Sequence, residues 1–104
     1  MRAIEKAMNN AIQYQQDWRL DNTKVINEGE ITKVFLHDNL ISEVTDTSVT
    51  LYDGGWQTNT TKSRLNAILA AHGRGDERIF QKKGQWFLST KDGTVPFFSG
   101  MKLS

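Results

Sequence analysis

The chain has 104 residues, one proline, no cysteine, and 13 Lys/Arg against 12 Asp/Glu, for a formal net charge of +1. That length closes one hydrophobic core and is too short for two, so a single α+β domain over residues 1–104 is expected. The lack of cysteine excludes disulfides, thiolate metal sites and cysteine nucleophiles, and the lone proline with 38% hydrophobic residues excludes collagen-like and disordered classes.

Met1 to Met8 carries Arg2, Glu5 and Lys6 with no long apolar run behind it, so neither a signal peptide nor a membrane span is expected. The expected location is the cytoplasm. Ile4, Met8, Ala11, Ile12 and Trp18 then recur at helical spacing between polar residues, which predicts an amphipathic helix over Ala3–Trp18, ended by Asp21 and Asn22. β-rich runs follow at Thr23–Asn27, Ile31–Leu36, Leu40–Thr45 and Ser48–Tyr52. Glu28-Gly29, His37-Asp38-Asn39, Asp46-Thr47 and Asp53-Gly54-Gly55 break them, and connections this short demand antiparallel neighbours.

From Thr60 the period changes. Leu65, Ile68, Leu69 and His72 share one face of a helix predicted over Thr61–His72, with Gly73 as the left-handed residue just past its end. Ile79–Lys82 and Gln85–Ser89 flank Lys83-Gly84 as a hairpin. Asp92-Gly93 turns the chain toward Val95–Phe98, where Pro96 permits only an edge strand. The fold class is therefore α+β: an antiparallel sheet of four to six strands packed with an N-terminal and a central helix. Ile12, Val34, Leu51, Leu65, Ile68, Leu69 and Trp86 are expected in the core.

The inventory for catalysis is thin. His37 beside Asp38 in a turn reads as a capping or solvated side chain, and His72 near a helix C-terminus as a packing or dipole residue. Asp17 and Asp21 lie one helical turn apart as solvated charge. No His pairs with another ligand at metal spacing, so no metal, no cofactor and no catalytic residue is expected, and the chain reads as non-enzymatic. Arg74-Gly75-Asp76 and Asn59-Thr60-Thr61 spell adhesion and glycosylation motifs that need an exported protein, and both read as chance.

Charge is unevenly spread. Met1 to Asp53 holds five Lys/Arg against nine Asp/Glu, and Gly54 to Ser104 holds eight against three. Such asymmetry marks either a basic surface for a polyanion or two halves that attract each other. The densest signal is Gly54-Gly55-Trp56-Gln57-Thr58-Asn59-Thr60-Thr61-Lys62-Ser63-Arg64, where a glycine turn delivers an aromatic, then hydroxyls and cations, to a helix start. With Asn59 or Thr60 as N-cap, backbone amides, a hydroxyl and the Arg64 guanidinium can hold a phosphate together. The competing reading is a plain N-cap with a solvated first turn and Trp56 as a core or staple residue. Arg78, Lys82 and Lys83 share one hairpin with Phe80 and Trp86, and cations beside stacking faces are what single-stranded binders use, although core packing also accounts for such aromatics. The candidate nucleic-acid or anion-binding residues are Thr58, Thr60, Thr61, Lys62, Ser63, Arg64, Arg78, Lys82 and Lys83.

Leu36-His37-Asp38-Asn39-Leu40-Ile41, Gly55-Trp56-Gln57-Thr58, Thr60-Thr61-Lys62-Ser63-Arg64-Leu65-Asn66, Phe80-Gln81-Lys82-Lys83-Gly84-Gln85-Trp86 and Phe98-Ser99-Gly100-Met101-Lys102-Leu103 form a familiar set. Together they resemble a family of small uncharacterised proteins of tailed bacteriophages, over most of the chain after the first helix. The resemblance implies a phage origin and action in a bacterial host cytoplasm, and no mechanism. Binding to nucleic acid or another phosphate-bearing ligand is the leading expectation. A modulator or inhibitor of a host protein and a small structural or assembly factor are the alternatives.

Overall fold

In the computed structural model, which describes residues 1–104, the amphipathic N-terminal stretch forms α1 (Ala3–Gln13). Its first turn is closed by the Glu5 carboxylate, which accepts the Arg2 N–H at 3.3 Å. The helix stops well short of Trp18, a correction to the expected boundary. Gln15 takes a left-handed φ of 53°, and the Gln16 and Gln15 N–H groups return to the Ala11 and Ile12 carbonyls at 2.9 and 3.3 Å. That is a Schellman ending with glutamine in the place glycine usually fills, so composition carries no stop signal.

The chain then builds β1 (Trp18–Leu20), β2 (Thr23–Glu28), β3 (Ile31–Leu36), β4 (Asn39–Val44) and β5 (Val49–Leu51). After α2 (Asn59–His72) come β6 (Arg78–Lys82), β7 (Gln85–Thr90), β8 (Gly93–Pro96) and β9 (Met101–Leu103). All pairings are antiparallel, in a six-stranded sheet of order β1-β2-β3-β4-β5-β9 and a three-stranded sheet β6-β7-β8. The α+β class is thus the observed one, with the short edge strands β1 and β9 added. The last segment forms its strand at Gly93–Pro96 instead of Val95–Phe98, on the edge of the smaller sheet.

Two tight turns set the registers. His37 and Asp38 both adopt left-handed φ, 50° and 64°, as do Lys83 and Gly84 at 52° and 78°. Two consecutive left-handed residues are the geometry whose twist matches antiparallel strands. Between β3 and β4 the register shifts at Val34/Phe35, leaving Ile41 as an extra residue, so that Ile41 and Ser42 are both buried. The free edge of β6 is closed by Asn66 of α2, whose amide accepts the Ile79 N–H at 2.7 Å and donates to the Ile79 carbonyl at 2.8 Å.

One cluster of 19 buried apolar residues joins both helices and both sheets, and it includes all seven residues expected there. Two local expectations are corrected. The N-cap of α2 is Thr58, whose hydroxyl accepts the Thr61 N–H at 3.1 Å, not Asn59 or Thr60. Gly73 is extended (φ −85°, ψ −159°) and not left-handed; a Cβ there would lie 2.7 Å from the Leu69 carbonyl oxygen, so the position needs glycine for space. Thr58→Ala should lower unfolding stability by about 1 kcal/mol in a urea titration, whereas Thr60→Ala should leave the midpoint unchanged.

Candidate nucleic-acid interface

The sequence places Thr58 to Arg64 on one short stretch, but helical periodicity sends its side chains in three directions. Arg64 points into the protein and is buried. Its Nη1 pairs with Glu5 Oε2 at 2.9 Å, Nε donates to the Thr23 hydroxyl at 3.0 Å, and Nη2 donates to Asn22 Oδ1 at 3.3 Å. Ser63 donates its hydroxyl to the same Glu5 oxygen at 2.6 Å. Burial alone raises the Glu5 carboxyl, but the hydrogen bonds from Ser63, Arg64 and the Arg2 N–H outweigh it and hold the group below the usual carboxylate range. Arg64 and Ser63 are therefore internal tethers, and Thr60 or Thr61, Lys62 and Arg64 do not converge on one exposed spot.

The remaining residues divide between two hollows. Thr58, Thr60 and Thr61 line a cavity of about 350 Å³ shared with the β3–β4 turn. Trp56 stands at its mouth, 71% exposed, so it neither fills the core nor anchors the chain beneath the helix start. Lys62 and Arg78 line a second, polar hollow of about 470 Å³ between the start of α1, α2 and β6. Lys62 also donates to the Gln81 side chain at 3.4 Å, which links α2 to the end of β6.

The hairpin cations meet an aromatic surface that sequence reasoning identified only in part. Phe80 pairs with Phe87, Arg78 with Ser89 and Lys82 with Gln85, and directly paired residues share a sheet face. On that face Phe80 and Phe87 stack with centroids 5.5 Å apart and planes at 22°. Both rings are half-buried, while Arg78, Lys82, Gln85 and Pro96 are exposed. The other face turns Ile79, Trp86 and Leu88 into the core, where Trp86 meets Phe97 edge-on at 5.5 Å. Trp86 is thus a core residue, and Phe87 is the ring that stands beside Phe80 on the outer face. Counting outward from the Lys83-Gly84 turn pairs Phe87 with Phe80, a signal present in the sequence.

The surface charge is not neutralised internally. The three ion pairs are Lys24–Asp38, Lys33–Glu28 and Arg64–Glu5, and only the last joins the basic second half to the acidic first. Asp76 and Glu77 accept the backbone N–H groups of Lys91 and Arg74, at 2.8 and 2.7 Å. Lys62, Arg78, Lys82 and Lys83 are left without carboxylate partners.

The histidines stand apart from this surface. His37 forms the β3–β4 turn, and His72, at the end of α2, has a buried Nε2 with no partner. Burial lowers the His72 pKa below its ordinary value, so at neutral pH it is an uncharged packing residue. No helix is long and apolar enough to cross a membrane.

Residues 1–104 match the family model described as Kyanoviridae Gp96 protein. The match includes α1, which the resemblance drawn from sequence segments left out. No curated protein and no solved structure matches the chain.

Two measurements check the tether. Arg64→Ala, which strands the Glu5 carboxylate in the interior, should cost about 3–5 kcal/mol of stability in a denaturant titration. Unfolded His72 takes up a proton below about pH 6.5 that the folded state resists, so stability present above that pH is lost as pH falls through it. Glu5 follows, because its stabilisation is present above about pH 4.5 and is lost on further acidification. A melting-temperature profile should therefore decline from near pH 6.5, and His72→Gln should remove the first decline while leaving the second.

Proposed function

The chain belongs to the Kyanoviridae Gp96 family of bacteriophage proteins, and on that footing we propose that it binds single-stranded nucleic acid through the open face of its three-stranded sheet. It acts by binding and not by catalysis, in the host cytoplasm. The observation that carries this reading is the Phe80–Phe87 stack, set in register between Arg78 and Lys82 on an uncovered face. Aromatic rings accept bases of any sequence, and flanking cations track the phosphates. Lys83 at the hairpin tip extends the positive charge, and Lys62 of α2 adjoins it through the hollow that it lines together with Arg78.

The interface differs from one built on the α2 start. Lys62, Arg78, Lys82 and Lys83 remain in it, Phe80 and Phe87 supply the stacking, and Ser63 and Arg64 leave it because their polar groups are held by Glu5.

Fluorescence anisotropy with a labelled oligothymidylate at several salt concentrations tests the proposal. Affinity should fall linearly with salt on logarithmic axes, and Arg78→Ala and Lys82→Ala should each flatten that slope by about 0.7. Phe80→Ala should weaken binding by about tenfold with the slope retained. Absence of salt-dependent binding at low ionic strength overturns this function and leaves contact with a host protein as the leading one.

A further inference from the structure

Trp56 is the most exposed of the large apolar side chains, 71% accessible, yet the loop that carries it is held in one shape. Gly54 and Gly55 take positive φ of 68° and 89°. The Asp53 carboxylate accepts the Gly55 N–H at 2.8 Å, and the Asp53 N–H donates to the Ser99 hydroxyl at 3.1 Å. A Cβ on Gly54 would lie 3.3 Å from side-chain atoms of both Asn39 and Ile41, so this loop and β4 approach closely.

The β3–β4 turn on the other side is equally fixed. The His37 N–H donates to the Asn22 carbonyl at 2.8 Å, and Asp38 pairs with Lys24 at 3.5 Å. Between these two walls lies the cavity of about 350 Å³, with Leu36 and Ile41 as its apolar floor and Trp56, His37, Asn39 and Thr60 around it. Thr58 and Thr61 bond their hydroxyls to each other at 3.0 Å, whereas the side chains of His37, Asn39 and Thr60 have no bond within the protein and are open to a ligand.

The volume lies at the small end of the range for small-molecule sites. An apolar floor, an open indole and a carboxamide that offers donor and acceptor side by side suit a flat heteroaromatic ring with a polar edge. We propose that this cavity is a nucleobase pocket: one base of a bound strand leaves its stack, lies against Trp56 and is bonded by Asn39. The inference rests on the reading that nucleic acid is the ligand, and adds a second, separate point of contact. From Thr60 the α2 surface leads to Lys62, which lines one hollow together with Arg78 of β6, so a strand on the sheet face has a cation on its way to the cavity.

The test titrates the intact protein with each of the four nucleoside 5′-monophosphates and follows tryptophan fluorescence, corrected for nucleotide absorption. Trp86 is buried and Trp18 half-buried, so saturable quenching that disappears in Trp56→Phe reports the pocket. In the oligothymidylate assay Trp56→Ala should weaken binding about tenfold with an unchanged salt slope, and Trp56→Phe should retain most of the affinity. Asn39→Ala should narrow the differences among the four monophosphates. Thermal unfolding of the Trp56 variants should match the parent, since the side chain is exposed. If no monophosphate quenches and Trp56→Ala binds the oligonucleotide fully while Phe80→Ala does not, the pocket is refuted and the sheet face stands. If monophosphates quench and Trp56→Ala weakens binding while the Phe80, Arg78 and Lys82 variants are silent, the pocket stands and the sheet face falls.

Discussion

Glu5 and Arg64 are 59 positions apart in the chain, and their side chains are only 3% and 4% exposed. Neither charge is tolerable in the interior alone, so each requires the other to be in place. Their pair ties the first turn of α1 to the second turn of α2, and the other two guanidinium nitrogens reach Thr23 and Asn22 at the start of β2. Three elements distant in sequence are thus held at one point by a group whose three nitrogens are each bonded. The rotation of α2 about its axis follows from it. With Arg64, Leu65, Ile68 and Leu69 directed inward, Lys62 and Asn66 face β6 and Thr58 and Thr60 face the β3–β4 turn.

That rotation distributes the chemistry of the helix start. A run that looks like one cluster in sequence becomes a tether, a cavity wall and a cationic hollow, because successive helical residues diverge by about a quarter turn each. Asn66 is used as a substitute strand, satisfying both polar groups of Ile79 on the edge of β6. The smaller sheet is thereby fixed against α2 with Trp86 and Leu88 inward, and the Phe80–Phe87 stack is left outward.

Charge asymmetry has the same logic. A single ion pair crosses between the acidic and basic halves. Of the three acidic residues after Gly54, Asp76 and Glu77 are taken up by backbone N–H groups, and Asp92 stands in the β7–β8 turn. What remains is a set of cations around an aromatic face, without carboxylate partners of their own.

Much of this was determined by the sequence itself. Period, turn chemistry and alternation set the element types, the antiparallel hairpins and all seven named core residues, since these depend on neighbours close along the chain. The hairpin around Lys83-Gly84 even fixes the partner of Phe80. Tertiary structure alone decided the rest. The left-handed Gln15 that closes α1 and the extended Gly73 depend on backbone geometry that those residue types do not announce. Strands β1 and β9 are three residues each, too short to show a period, and β9 is ordered by pairing with the distant β5. The role of Arg64 was hidden for a related reason. A cation near a helix start looks the same in sequence whether it awaits a phosphate or meets a carboxylate, and only the docking of α1 placed Glu5 against it.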